Sequence, residues 1–162
     1  STPKTKFKPV IEWRSTTGVF MYRIAIVATL AALAGCSTSP VAFDSAHKVP
    51  SERVLAYGQK PPGAHGTIQV TRDTGFVAGG CFVAVHIDGK PAARIDTGEA
   101  VSLYVPVGDH LVGLGGDEKG SGMCSRAGAL KEQAATLKAG QVKRYRIGGD
   151  TSAGLDIRPT SM

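Results

Sequence analysis

The sequence predicts an all-β fold, an antiparallel β-sandwich of about seven or eight short strands preceded by a signal peptide and a tether with a short helix. From Gly66 onward, apolar and polar residues alternate with the period of a half-buried strand. Glycine-rich turns separate these segments at short, regular intervals. Of the 162 residues, those from 36 onward are enough for one domain but not for two.

An export signal is predicted near the N-terminus. Arg23 precedes an uninterrupted apolar run over residues 24–35, which is shorter than the roughly 20 residues that a spanning helix needs but typical of a signal peptide. Residues 1–35 are therefore predicted to be a targeting segment that is absent from the mature protein. Residues 1–20 lack apolar periodicity, and they are either an extended basic region of this signal or sequence upstream of a true start at Met21.

The end of the apolar run, Leu33, Ala34, Gly35 and Cys36, resembles the lipobox of bacterial lipoproteins. The resemblance implies that the Cys36 thiol carries a diacylglycerol, that cleavage occurs just before this residue, and that the new amino group is acylated. Two or more acyl chains give stable anchoring in a membrane. Ser37 in the following position implies an outer-membrane lipoprotein facing the periplasm, with the inner membrane as the less favoured location.

Residues 36–65 are predicted to be a lipidated tether, because they contain serine, proline, glycine and lysine with few apolar residues. Within it, residues 51–57 are compatible with one or two helical turns that begin at Ser51 after Pro50. Val54, Leu55 and Tyr57 would then dock this turn on the domain. The alternative is a partly ordered arm.

The β-sandwich domain is predicted over residues 66–162, and its first half contains four strands. Ile68 and Val70 mark the first strand. In residues 81–87 the odd-numbered positions form the more apolar face, which leaves Phe82, Ala84 and His86 on the other face. Asp88-Gly89 is a strong hairpin signal that returns the chain through residues 92–95. The next strand is predicted to place Val101, Leu103 and Val105 inward and to leave Ser102 and Tyr104 outward.

The second half continues with a turn over residues 106–109 and a strand over residues 110–114. Residues 115–128 are predicted to form a loop that carries Cys124. Residues 129–137 have helical propensity but lie between strands, and a strand is favoured because a hairpin closes the sheet through a short connection. Strands over residues 142–147 and 155–158 complete the sandwich.

Two cysteines remain once Cys36 is assigned to lipid. In an exported chain an even pair predicts a disulfide, here between Cys81 and Cys124. Closing a loop of about 43 residues would stabilise the fold by about 4 kcal/mol. The alternative, a catalytic thiol, needs a nearby base, and His86 lies at an odd offset from Cys81, which on a strand points the two side chains to opposite faces.

Several turn motifs resemble those of a group of small bacterial envelope lipoproteins of uncharacterised function that have a β-sandwich domain. The similarity spans roughly residues 66–157 and implies a fold and a location, but no catalytic residue. Its motifs are Thr71-Arg72-Asp73, the hairpin at 86–90, the turn at 105–110, and the segment 137–141 that leads into Tyr145-Arg146.

No catalytic motif is present, so the chain is predicted not to be an enzyme. Ser121 stands where a phosphate-binding loop needs lysine, and no nucleophile elbow occurs. The four histidines lack the close pairing of a metal site, so neither a metal nor a cofactor is predicted. A hydrolase would need a histidine–carboxylate pair that only the fold could assemble. With 14 basic and 12 acidic residues from residue 36 onward, the net charge is only +2, and no nucleic-acid partner is predicted.

The predicted function is that of a lipoprotein whose non-catalytic sandwich binds or stabilises another envelope component, an unidentified protein or polymer. The alternative is a periplasmic inhibitor or a module that binds a small ligand. The basic run around Arg144 and Arg146 either binds an anionic partner or protects a strand edge by its charge. Together with these two arginines, the candidate partner surface consists of Phe82, His86 and Tyr104, all predicted to point outward.

Overall fold

The computed structural model describes residues 37–121, 124 and 129–162, which form two β-sheets packed face to face. The predicted all-β sandwich is confirmed, and short 3₁₀ turns at Phe43–Ser45 and Ser51–Arg53 accompany the strands. The predicted targeting segment and Cys36 lie outside the described residues. Within the described ranges, no helix is long and apolar enough to cross a membrane. The strands are β1 (His47–Lys48), β2 (His65–Arg72), β3 (Val83–Ile87), β4 (Lys90–Ile95), β5 (Glu99–Pro106), β6 (Gly108–Gly116), β7 (Lys131–Leu137), β8 (Val142–Asp150) and β9 (Gly154–Pro159).

One sheet has five strands in the order β1-β5-β2-β8-β9, and the other has four in the order β4-β3-β6-β7. Most neighbours pair antiparallel, as predicted, but β1 with β5 and β2 with β8 pair in parallel. The parallel pair β2–β8 lies in the middle of its sheet, so the first long strand of the domain contacts one that lies more than 60 positions later along the chain.

The core lies between the sheets and is built from the alternating apolar positions. Val101, Leu103 and Val105 are buried, which confirms the inward face predicted for β5. Tyr145 and Ile147 of β8 join them from the same sheet. The four-stranded sheet contributes its own alternating residues: Val83, Val85, Ile87, Ala93, Ile95, Val112, Leu114, Ala135 and Leu137.

Two local predictions are confirmed. Asp88 and Gly89 connect β3 to β4 and both have positive φ angles, 52° and 73°, as the two-residue hairpin turn of the primed type requires. Residues 131–137 form a strand rather than a helix, paired antiparallel with β6. Pairing along the whole edge of β6 overrides the helical propensity of this segment.

The segment predicted as a tether is different in the structure, because most of it lies on the sandwich. β1 pairs with the edge strand β5, and Val54 forms a bridge to Ala93 of β4. The backbone N–H groups of Leu55 and Ala56 donate to the carbonyl of Ala92. Residues 47–57 thus form an arm that closes the open side between the β5 and β4 edges. Its buried Val49 and its partly buried Val54, Ala56 and Tyr57 extend the core.

The two ends of the sandwich carry different connections. One end, called the Ser37 end, holds Ser37, the loop over residues 73–82 and the β8–β9 turn over residues 151–153. The opposite end, called the Asp88 end, holds the β3–β4 hairpin, the β5–β6 turn at Val107 and the β7–β8 turn at residues 138–141.

Candidate functional site

The five residues predicted as a partner surface do not lie together. Tyr104, Arg144 and Arg146 share the outer face of the five-stranded sheet, opposite the buried Tyr145. The remaining two, Phe82 and His86, belong to the other half of the sandwich. The predicted surface is therefore reduced to three of its members.

Gln69 and Arg158 also lie on the outer face of the five-stranded sheet. With the three residues above they form what we call the arginine face. Arg144 stands beside Gln69 on β2 and donates from Nε to its Oε1 at 3.1 Å. Arg158 on β9 stands directly opposite Arg146. Like charges in this cross-strand position repel each other, and a bound anion would reduce this repulsion. The arginine face consists of Gln69, Tyr104, Arg144, Arg146 and Arg158.

Arg146 forms an ion pair within the fold that the sequence did not predict. Its Nε and Nη2 atoms lie 2.8 Å from the carboxylate oxygens of Asp73, which is fully buried. This hydrogen bond raises the pKa of Arg146. The Thr38 hydroxyl donates to the same carboxylate at 3.0 Å. About a third of the Arg146 side chain is exposed (34%), so it can still contact a ligand from the rim.

Arg144 and Arg158 are the more accessible members of the arginine face. Arg158 is 68% exposed and pairs with Asp156 at 3.1 Å, a surface contact of the kind that contributes little energy. Arg144 is exposed, and in the described part of the chain it forms no salt bridge. These two guanidinium groups therefore keep donors available for a carboxylate or phosphate.

A cleft of about 300 Å³ lies where the arginine face meets the Ser37 end. Its walls carry Arg146 and Arg158, but also Asp150. Hydrogen bonds from the Ser152 hydroxyl and then from the backbone N–H groups of Ala153 and Ser152 lower the pKa of Asp150, so this carboxylate is ionised at neutral pH. The cleft thus presents both charges, and the arginine face beside it is the more cationic surface.

Phe82 contacts two guanidinium groups of the fold and is only partly exposed. The Arg53 and Arg94 carbons Cζ lie 4.6 and 4.9 Å from its ring centroid. Arg53 also binds the carboxylate of Glu99, with Nη1 at 2.7 Å from Oε2. Burial raises the pKa of Glu99, but the hydrogen bonds from Arg53 and from the Asp96 N–H outweigh this effect, and the net shift is downward.

Arg94 extends this network to the buried Asp117. Its Nε and Nη2 donate to the two carboxylate oxygens at 2.7 and 2.6 Å. The hydrogen bond from Arg94 lowers the pKa of Asp117 against the opposing effect of burial. Asp117 lies in the segment predicted as a loop, but its side chain is only 2% exposed. The network joins the arm, β4, β5 and the end of β6, so its role is to hold these elements together.

His86 does lie on the outer face of the four-stranded sheet, but it is only 6% exposed. Its ring covers Gly113 and Gly115 of the paired strand β6: a Cβ built on Gly115 would lie 2.6 Å from His86 Cε1. Nδ1 lies 3.2 Å from the carbonyl oxygen of Ala84. The absence of side chains at the two glycines lets the imidazole lie flat, and His86 is therefore removed from the candidate surface.

The fold does assemble one histidine–carboxylate pair, His110 with Asp88. Nδ1 of His110 lies 2.8 Å from Asp88 Oδ2, and Nε2 lies 3.0 Å from the carbonyl oxygen of Pro106. The hydrogen bond with His110 lowers the pKa of Asp88. Both ring nitrogens face acceptors, and within the described residues no hydroxyl or thiol hydrogen-bonds to this ring. The pair therefore joins two turns and lacks the nucleophile that a hydrolytic site needs.

The predicted disulfide is confirmed: Cys81 and Cys124 are bonded, with Cα atoms 5.2 Å apart. Beside it, Arg72 is fully buried and donates to three backbone carbonyls, those of Cys81, Ala78 and Ile95, at 2.7 to 3.0 Å. Desolvation lowers the pKa of this arginine. The disulfide and Arg72 together fix the loop over residues 73–82 at the Ser37 end.

Among the described residues, no group of three or more histidine, cysteine, aspartate or glutamate side chains could hold a metal ion. No protein-family model matches the chain, and no curated protein or solved structure is significantly similar to it.

Proposed function

We propose that this chain is a non-catalytic lipoprotein of the bacterial envelope, anchored by Cys36 in the outer membrane and facing the periplasm. Its sandwich binds another envelope component, a protein or polymer with anionic groups, at the arginine face. The observation that carries the binding proposal is the cross-strand cluster of Arg144, Arg146 and Arg158 on an outer sheet face.

Three further features support the proposal. The leader that ends at Cys36 has the composition of an export signal. The Cys81–Cys124 disulfide suits an oxidising compartment such as the periplasm. The ionisable groups with shifted pKa values, such as Glu99 and Asp117, are engaged in ion pairs between elements of the fold, an arrangement typical of structural networks and not of catalysis.

The anchor is tested by mass spectrometry of the mature N-terminus after expression in a bacterial host with lipoprotein-processing enzymes. We expect an acylated Cys36 as the first residue, and for Cys36→Ser a chain without acyl groups that retains its leader. An N-terminus that retains residues 1–35 without acyl groups would contradict the proposal.

Binding is tested in living cells with a photo-crosslinking amino acid at position 144. Position 132 serves as the matched control, because Glu132 is also exposed but lies on the outer face of the four-stranded sheet. We expect adducts from position 144 only, and their loss when Arg158→Glu is added. Adducts that form equally from both positions would show that the arginine face is not the binding surface.

A further inference from the structure

The first described residues are already hydrogen-bonded to the sandwich. The Thr38 N–H donates to the carbonyl of Gly149 at 2.9 Å, and Ser39 exchanges two backbone hydrogen bonds with Thr74. The Thr38 hydroxyl contacts the buried Asp73 and accepts from the Gly149 N–H. Ser37 is therefore fixed at one end of the domain, and it is the residue that directly follows Cys36 in the sequence.

The most exposed large apolar side chain among the described residues lies at the same end. Phe76 is 96% exposed, and its neighbour Gly75 packs against the segment that follows Cys36. A Cβ built on Gly75 would lie 3.2 Å from Thr38 Cα and 3.4 Å from Ser37 O. Phe76 thus lies one residue along the chain from the contact with Ser37, the first residue after Cys36 in the sequence.

The loop that carries Phe76 is fixed by hydrogen bonds and by the disulfide. Arg72 donates to Ala78 O at 2.8 Å and to Cys81 O at 2.7 Å, the Phe76 carbonyl accepts from the Gly79 N–H, and Cys81 is bonded to Cys124. A fully exposed phenylalanine on a fixed loop has no partner within the described fold. Aromatic side chains displayed in this way beside a lipid anchor are suited to the interfacial region of a bilayer.

We propose that the Ser37 end of the sandwich rests directly on the bilayer that holds the Cys36 acyl chains, with Phe76 inserted among the lipid headgroups. This inference rests on the proposed lipidation of Cys36 and adds an orientation to it. Two anchors at one end, one covalent and one aromatic, restrict tilting of the domain. The arginine face then stands to the side of the membrane contact, accessible from the periplasm.

The chain offers a clean probe for this contact. Its single tryptophan is Trp13, within the segment predicted to be removed, so F76W would introduce the only tryptophan of the mature protein. Because Phe76 is almost fully exposed, the exchange should not disturb the core. The matched control is V107W, since Val107 is an exposed apolar residue (43%) at the Asp88 end.

The experiment uses lipidated mature protein in vesicles of phosphatidylethanolamine and phosphatidylglycerol, with and without dibrominated phosphatidylcholine. We expect bromine to quench most of the F76W emission and little of the V107W emission. The emission wavelength of V107W should not change when vesicles are added. Equal quenching of both variants, or none of either, in protein shown by mass spectrometry to be acylated overturns the inference and leaves the proposed function intact. Protein without acyl groups overturns both. A blue-shifted F76W emission without quenching would assign Phe76 to a protein contact and also overturn the inference.

Discussion

Asp88 and His110 join two turns at one end of the sandwich: Nδ1 of the histidine lies 2.8 Å from Oδ2 of the aspartate. The other carboxylate oxygen of Asp88 accepts from the Leu111 N–H at 2.8 Å. The hairpin at 86–90 and the turn at 105–110 are thus parts of one hydrogen-bonded unit. The spacing of these motifs follows from the antiparallel pairing of β3 with β6.

Replacement of Asp88 should weaken this unit measurably. We expect Asp88→Asn to lower the free energy of unfolding by about 1 kcal/mol, the usual scale for a partly exposed charged hydrogen bond. Asparagine tolerates the positive φ of this position, so the turn itself is kept. Urea unfolding of the unacylated Cys36→Ser chain gives the measurement. Asp88→Ala should cost more, because it also strains the turn, and equal stability of all three proteins would contradict the assignment.

Arg72 should be among the most sensitive positions of the domain. Arg72→Met removes the donor to three buried carbonyls, and we expect a loss of about 3 kcal/mol. Arg72→Lys keeps the charge but not the planar fork, so it should also destabilise, by a smaller amount. Urea unfolding measures both losses. A neutral Arg72→Met would show that the carbonyls of Ala78, Cys81 and Ile95 find other donors.

The Arg94–Asp117 pair predicts a pH dependence. The hydrogen bond that Arg94 donates to Asp117 lowers the folded-state pKa of Asp117 below the unfolded value of about 3.9. The pair therefore stabilises the fold fully above about pH 4, and this contribution is lost as the pH falls through the folded-state pKa. We expect Asp117→Asn to cost about 2 kcal/mol at pH 7.

The matching measurement compares the unfolding free energies of the wild-type chain and the Asp117→Asn variant between neutral pH and pH 3. Their difference should shrink on acidification, since protonation makes the wild-type side chain resemble the variant. A difference that stays constant across this range would mean that another group carries the acid dependence.

Gly115 and His86 should be coupled. Gly115→Ala places a methyl group in the position now covered by the imidazole, and we expect a loss of about 1–3 kcal/mol from this overpacking. In a His86→Ala background the same exchange should be nearly neutral. A double-mutant cycle in urea measures the coupling, and additive losses would show that the ring does not lie over Gly115.

Disulfide loss should be detectable without any loss of the β-sheet fold. The replacement of both Cys81 and Cys124 by serine releases a connection across 43 positions and should cost about 4 kcal/mol in the chain-entropy model. Far-ultraviolet circular dichroism should keep its β-sheet signature while the urea midpoint falls. An unchanged midpoint would show that the loops at this end are held sufficiently by Arg72.

Local patterns were enough to predict strands at the positions of β2 to β9, but not the two-residue strand β1. The alternation around Val101, Leu103 and Val105 predicts an inward face that the structure confirms, and Asp88-Gly89 predicts its hairpin. For residues 129–137 a strand is favoured over the helical propensity because a hairpin closes the sheet through a short connection, and the structure has a strand at Lys131–Leu137. These features depend on neighbours along the chain.

Contacts between distant positions could not be predicted in this way. The arm has few apolar residues, and it is ordered by backbone hydrogen bonds to strand edges whose identity depends on the sheet order. The burial of His86 depends on glycines of the paired strand, and the Arg146–Asp73 ion pair depends on the parallel pairing of β8 with β2. A single sequence specifies none of these registers directly.

The hydrogen bond between Gly149 and Thr38 closes a loop of 111 positions. The residues that directly follow Cys36 can therefore pair with the sandwich only after the β8–β9 hairpin has formed, and such non-local closure is slow. In the proposed export of the chain, the N-terminal end would cross the membrane first and would wait for the C-terminal end. We expect this order of arrival to leave residues 37–39 without their hydrogen-bond partners while the proposed processing takes place, and to fix them once translocation ends.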